Sequence, residues 1–239
     1  MNFTQLNTQF KEIAAPYYSD LLYHNLKHAQ EVQQNAHRIA QLLNMTEFEQ
    51  LAVCRAAWMH DAGYHLPLDK SLYATKEDLS IALMKQESEL LFTKQYPGIK
   101  EQIIKRSTEA INGTKIERSD FSSPFAKILR AADIVHLGTP NTEEFLIGSA
   151  KIYHEYTFLN QEHLEKEGLL PIPQRIFQWK QTEILELLLN NCIQGIPETP
   201  YFPEGFYEQF KTNIDTLRNI DDFQQYIDLV AEKHDINYT

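Results

Sequence analysis

Apolar side chains recur at spacings of three and four over most of this chain. In HAQEVQQNAHRIAQLL, residues 28–43, they fall at Ala29, Val32, Ala36, Ile39, Ala40 and Leu43, the buried stripe of an amphipathic helix. Thr46-Glu47-Phe48-Glu49 follows, a capping-box pattern in which the threonine caps the first turn and the second glutamate reaches back. The helix it opens is expected to run through LAVCRAAWMH and stop near Gly63, leaving His60-Asp61 at its C-terminal end. Thr75 is the expected cap of a helix over 76–94, broken by Pro97-Gly98. Another is expected over 99–111 with Asn112-Gly113 as its stop. Ser122-Ser123-Pro124 then opens a helix through FAKILRAADIVHL to Gly138, since proline suits a first helical turn. From Asn141 the pattern predicts helices near 141–158, 174–192, 203–219 and 221–234, with EGLLPIP, 167–173, as a loop. Alternating β-branched runs are scarce, and Asn112-Gly113 follows a helical pattern rather than closing a hairpin. The fold class is therefore all-α, with no internal repeat and no low-complexity tract.

Length and composition narrow this picture. The chain has 239 residues, 43% of them hydrophobic and 23% charged. That suffices for a real core and excludes disordered and collagen-like classes. The formal net charge is −11, from 33 acidic and 22 basic residues. Duplex nucleic acid and anionic membranes are poor partners for such a chain, because phosphate backbones and headgroups need clustered Lys and Arg. A small phosphorylated substrate is still compatible, since a bound cation can supply positive charge locally. The two cysteines, Cys54 and Cys192, are too few for a disulfide scaffold. Both are read as reduced, and Cys54 as a small core residue. The opening MNFTQLNTQFKEI has no basic start followed by an apolar run, and no apolar run approaches the ~20 residues of a membrane helix. A cytoplasmic location is expected. Assembly as a homo-oligomer is left open.

Candidate chemistry gathers in a few polar positions. In YHNLKHA, His24 and His28 are four residues apart, the spacing of one helix face. His60 and Asp61 are adjacent at a helix end. Asp133 is an acid among Ala, Ile and Val in ILRAADIV, costly to bury unpaired. Imidazole and carboxylate together suit divalent Zn, Mn, Fe, Co or Ni, and carboxylates suit Mg. The alternative for Asp133 is an ion pair with Arg130, three residues away.

The ordered set Tyr-His-Asn-x-x-His, an apolar helix ending in His-Asp, and a later helix bearing Asp resembles the HD superfamily of metal-dependent phosphohydrolases. TKEDLSIAL and STEAINGTK, in the interval between, are similar to segments of its small bacterial members. The resemblance covers about residues 20–140. It implies an HD-type helical bundle over 1–140 carrying the catalytic site, with 141–239 as a C-terminal helical extension packed on it. It implies His28, His60, Asp61 and Asp133 as ligands of a divalent metal ion, with Asp61 also holding the nucleophilic water. YHNLKHA further resembles the signature of cyclic-nucleotide phosphodiesterases, which implies His24 as the general acid protonating the leaving oxygen. The alternative is that His24 packs locally.

Residues around this set are read with two roles each. His65 is an outer-shell residue or a loop histidine. Glu77 orients metal-bound water or is an acid favoured by a helix N-terminus. His136, one turn after Asp133, is outer shell or core. Lys27 meets phosphate or solvent. The aromatics of YHEYTF and YFPEGFYEQF clamp a ligand or fill the core. The expected function is hydrolysis of a phosphoester, that of a nucleotide first, as phosphomonoesterase or phosphodiesterase. Two other classes stand beside it: a nucleotide sensor without turnover, and an HD-type iron oxygenase. Only His65 lies among histidines between the His-Asp pair and Asp133, which speaks against the oxygenase. No Gly-x-x-x-x-Gly-Lys and no Gly-x-Ser-x-Gly is present.

Overall fold

A computed structural model describes residues 2–18, 21–95, 98–116 and 122–236, without the side chains of 93–95 and 192. The expected helix break at Pro97 and the expected thiol of Cys192 lie outside the described residues. Among the described residues the chain is all helix, with no strand. In chain order the helices are α1 Phe3–Ala14, α2 Leu26–Leu42, α3 Glu47–Met59, α4 Lys76–Gln95, α5 Lys100–Asn112, α6 Pro124–Ile134, α7 Thr142–Leu159, α8 Gln161–Lys166, α9 Gln174–Leu187, α10 Glu198–Tyr201, α11 Phe206–Asn219 and α12 Gln224–Lys233.

Caps explain several of these boundaries. Thr46 and Glu49 form the full capping box: the Glu49 amide donates to Thr46 Oγ1 at 3.3 Å, and the Thr46 amide to Glu49 Oε2 at 3.0 Å. Thr75 and Asp78 repeat the arrangement at α4, each amide donating to the other side chain at 3.2 Å. Helix α6 opens on Pro124, and tightens after Ile134 into a 3-10 turn over Val135–Gly138. Helix α9 loosens after Leu187 into a π turn over Leu188–Cys192. Helix α11 starts at Phe206 rather than 203 because Gly205 stands before it at φ 77°, left-handed backbone that suits glycine. Three helices were not expected: α1, α8 and α10. Leu6, Phe10 and Ala14 of α1 are nonetheless fully buried at four-residue spacing.

The helices group into two compact units. The first comprises Met1–Ile134 together with Cys192–Pro203, the second Val135–Asn191 with Glu204–Thr239. Central to the first is α3, buried on every side from Leu51 to Met59, as a core helix must be. It packs against α1, α2, α4, α5 and α6, while α10 lies against α2 and α6. Gly113 belongs to the close approach of α5 and α6. Its backbone is ordinary right-handed helix, but a Cβ there would stand 2.6 Å from Ala126 Cα.

In the second unit α7 packs on α8, α11 and α12, and α11 on α9. Its aromatics are largely core. Tyr153 and Phe177 meet edge to face, Phe177 stacks on Phe223, and Phe206 and Phe210 are buried, although Tyr156 and Phe158 are exposed. Asn213 Nδ2 donates to Leu137 O at 2.8 Å and Thr139 O at 3.0 Å, tying α11 to the 3-10 turn. No helix is long and apolar enough to cross a membrane among the described residues.

Candidate metal centre

Three elements of the first unit deliver the four side chains. Asn25 is the N-cap of α2: its Oδ1 accepts from the amides of Lys27 (2.9 Å) and His28 (3.1 Å), while its Nδ2 donates to Leu21 O and Leu22 O. That cap starts the helix at Leu26 and fixes His28 in its first turn. It also corrects one expectation. His24 lies before the cap, so it and His28 do not share a helix face. His24 stacks instead on Tyr64, with ring centroids 4.0 Å apart and planes 23° apart. Its ring still meets that of His28 edge on, at 6.1 Å. His60 caps the C-terminus of α3, and Asp61 follows as the chain turns. Asp133 comes from the last turn of α6.

One donor atom from each of His28, His60, Asp61 and Asp133 lies within 4.8 Å of all the others. His28 Nε2 is 3.4 Å from Asp61 Oδ2 and 3.2 Å from Asp133 Oδ1; His60 Nε2 is 2.9 Å and 3.4 Å from the same two oxygens. Ligands about 2.1 Å from a common ion stand roughly 3.0–3.4 Å apart when adjacent, so the spacing fits one cation. Burial decreases across the set, from His60, fully buried, to Asp133, whose side chain keeps 21% of its accessibility. Asp133 therefore marks the side that opens to solvent.

The imidazole of His60 supplies the sharper test. Its Nδ1 is 2.8 Å from Ala57 O. A carbonyl can only accept, so Nδ1 carries the proton and Nε2 presents its lone pair, the arrangement that prepares a histidine for metal. That lone pair faces Asp61 Oδ2 at 2.9 Å, yet neither buried atom makes a hydrogen bond. With Nε2 unprotonated these are two buried acceptors in contact, a repulsion that either a proton on Nε2 or a metal ion shared by both atoms offsets. A divalent ion fits this donor set, and the residues could hold one.

The two carboxylates favour positive charge beside them, from protons on the imidazoles as from a metal ion. Burial disfavours charge on His28, but hydrogen bonds to Asp133 and Asp61 outweigh it and lift the imidazole to about 9. His60 is likewise raised against its burial, chiefly by the Asp61 charge. Burial would raise both carboxyls; for Asp61 the charges of His60 and His24, and for Asp133 the hydrogen bonds of His28 and His60, win and hold them far below the usual carboxylate range. The site is built to concentrate positive charge on two carboxylates.

Around the cluster, Glu77 sits in the first turn of α4. Burial raises its carboxyl, with the Asp61 charge adding and the Lys115 charge opposing. His65 is half-buried, and burial with the Lys76 charge lowers its pKa; it is not among the four clustered donors. His136 is exposed on the 3-10 turn, neither a core histidine nor a member of the cluster. Lys27, its side chain 85% accessible, pairs with Glu31. Arg130 donates from Nε to Gly113 O at 2.8 Å and from Nη2 to Lys115 O. Asp133 faces the two imidazoles.

Sequence reasoning passed over Tyr64, Lys115 and the capping role of Asn25. The Asn in YHNLKH, ahead of an apolar-periodic run, is a legible cap signal. Nothing local marks Tyr64 or Lys115. Comparison with protein-family models, with curated proteins and with solved structures returned no match. What is established is an all-helical protein with a buried His/His/Asp/Asp cluster able to hold a metal ion.

Proposed function

We propose that this chain is a metal-dependent phosphohydrolase of the HD type, acting on a small phosphoester, that of a nucleotide first. One observation carries the reading. His60 Nε2 and Asp61 Oδ2 face each other buried and without a hydrogen bond, inside a ring of four donors of one spacing. The order of those donors along the chain, His, His-Asp, Asp, supports the HD resemblance.

His28, His60, Asp61 and Asp133 would hold the ion. When bound it supplies a water acidified towards about pH 7 and positive charge beside a phosphoryl oxygen. The chain's own groups do the rest. Asp61, nearly buried between two imidazoles, orients the nucleophile. Asp133 lies on the accessible side, where substrate enters. His24, held flat against Tyr64 beside His28, gives a proton to the leaving oxygen. Glu77 borders Asp61 and accepts hydrogen bonds from water there.

The test is metal analysis of the purified protein beside a panel of nucleoside mono-, di- and cyclic phosphates and an aryl phosphodiester, each with Mn, Co, Mg, Ni and Zn. About one ion per chain and turnover that disappears in Asp61→Ala, with the helical spectrum retained, support the proposal. Nucleotide binding without turnover under every metal makes the protein a sensor instead. Iron content with oxygen uptake makes it an oxygenase.

A further inference from the structure

Charge must balance where an anionic substrate binds. Two carboxylates and two neutral imidazoles around a divalent ion sum to zero. A phosphate ester then brings one or two negative charges. In two-metal enzymes a second ion neutralises this excess. Here one close set of four donors is found among the described residues, so another cation has to serve.

We propose that Lys115 is that cation: it binds the phosphoryl group of the substrate at the edge of the His/Asp cluster, anchored by Asp78. The proposal rests on the hydrolase reading and deepens it. Lys115 follows α5, and residues 113–115 are clamped from both sides. Thr114 Oγ1 donates to Ile111 O at 2.8 Å, and Gly113 is pressed against Ala126. The Lys115 carbonyl accepts from Nη2 of the buried Arg130, three residues before Asp133 on the same helix. From the other side, Lys115 Nζ stands 2.6 Å from Asp78 Oδ1, next to Glu77 in the first turn of α4. Asp78 Oδ2 is in turn fixed by the amide and hydroxyl of Thr75.

That turn of α4 is bound to the segment following the His-Asp pair. Lys76 Nζ donates to Tyr64 O and Leu66 O, and the Gly63 amide donates to Ser80 Oγ at 2.9 Å. Gly63 has no room for a side chain, since a Cβ would stand 2.7 Å from Lys76 O. Backbone and ammonium of Lys115 are thus tied separately to the helix of Asp133 and to the turn flanking Asp61. Glu77, beside Asp78 in that turn, feels the charges of both Asp61 and Lys115. Lys115 keeps 24% of its side-chain accessibility and Asp78 30%, enough for a small anion to reach. An ammonium has three donors, and Asp78 Oδ1 takes one.

The experiment is titration of inorganic phosphate into the Mn-loaded full-length protein by calorimetry, with KM and kcat for the best ester of the panel measured alongside. Lys115→Gln should weaken phosphate binding and raise KM by about 10- to 100-fold, the cost of one lost charge-assisted contact. Its Mn content should be unchanged, and Lys115→Arg should recover most of the loss. Phosphate affinity of Lys115→Gln within twofold of the wild type, at equal Mn content, overturns the proposal. If the wild type meanwhile hydrolyses esters, the hydrolase reading stands without it. A wild-type Mn protein that neither binds phosphate nor hydrolyses any ester overturns both.

Discussion

His60 shows how much a single residue can commit a site to. Its Nδ1 is used on Ala57 O, so Nε2 is the nitrogen left to face Asp61, and the contact calls for a metal ion or a second proton there. Asp61→Asn removes the charge that faces this nitrogen while nearly keeping the shape. Metal affinity should then fall by more than the ~10–100-fold that loss of a supporting contact costs a metal site, read by competition with a chelator. Retained stoichiometric metal would place the ion elsewhere. Cys54 makes a second prediction at this scale. Burial, opposed by the Gln33 amide, pushes its thiol from 9.0 up to about 12, which cuts the thiolate fraction near neutral pH by about 10³-fold. Alkylation of the peptide holding Cys54, followed by mass spectrometry at pH 8, should be slow in the native protein and fast in urea. The residues of the cluster could be picked from the sequence because their types are unusual where they stand: an acid in an apolar helix, and a histidine ending one. Lys115 and Tyr64 are ordinary in their local context, and only the fold sets Tyr64 against His24 and Lys115 against Asp78.

Helix starts were legible at Thr46 and Thr75, where a hydroxyl and a carboxylate three residues on do the capping. Thr46 and Glu49 satisfy each other's backbone amides and start α3 where the pattern says. Hydrogen bonds from the Thr46 backbone and hydroxyl hold the Glu49 carboxyl below 4.5, with the Arg106 charge assisting against burial. A depressed carboxyl contributes stability that is complete above its unfolded value and lost as pH falls through the folded one. Glu49→Gln should therefore be less stable than the wild type at pH 7, and the gap should narrow and close as the pH falls below the ordinary glutamate range, followed by urea denaturation. Thr46→Ala should cost about 1 kcal/mol. Asn25→Ala should cost about as much and also weaken metal binding, because the same cap aims His28. The stop expected at Asn112-Gly113 is where α5 ends, but Gly113 is right-handed, and its small size serves Ala126. Gly113→Ala should destabilise by about 1–3 kcal/mol through overpacking. The π turn after Leu187 and the 3-10 turn after Ile134 carry no sequence signal of their own.

At the scale of the whole molecule, the sequence pattern is linear and the fold is not. A boundary near 140 is the natural reading, since the resemblance ends there. By compactness the helices divide at Ile134/Val135, and the segment Cys192–Pro203 returns to the first unit. Within that segment Ile193, Ile196, Tyr201 and Phe202 are all buried, and α10 lies on α2 and α6, the helices that carry His28 and Asp133. Burial of each such side chain stabilises by about 1.5–3 kcal/mol, against a typical total of about 5–15 kcal/mol for a domain. A chain ending at residue 140 lacks all four, and exposes the surface of α2 and α6 that α10 covers. It should melt well below the full chain or without a cooperative transition, and should bind Mn weakly even though all four candidate ligands are present. Phe202→Ala in the full chain isolates the same effect in one residue, with an expected cost of about 3–5 kcal/mol and a lower Mn affinity. If the 1–140 fragment instead melts cooperatively at the midpoint of the full chain with undiminished Mn binding, the returning segment is no part of what holds α2 and α6, and the site needs only the helices that precede it.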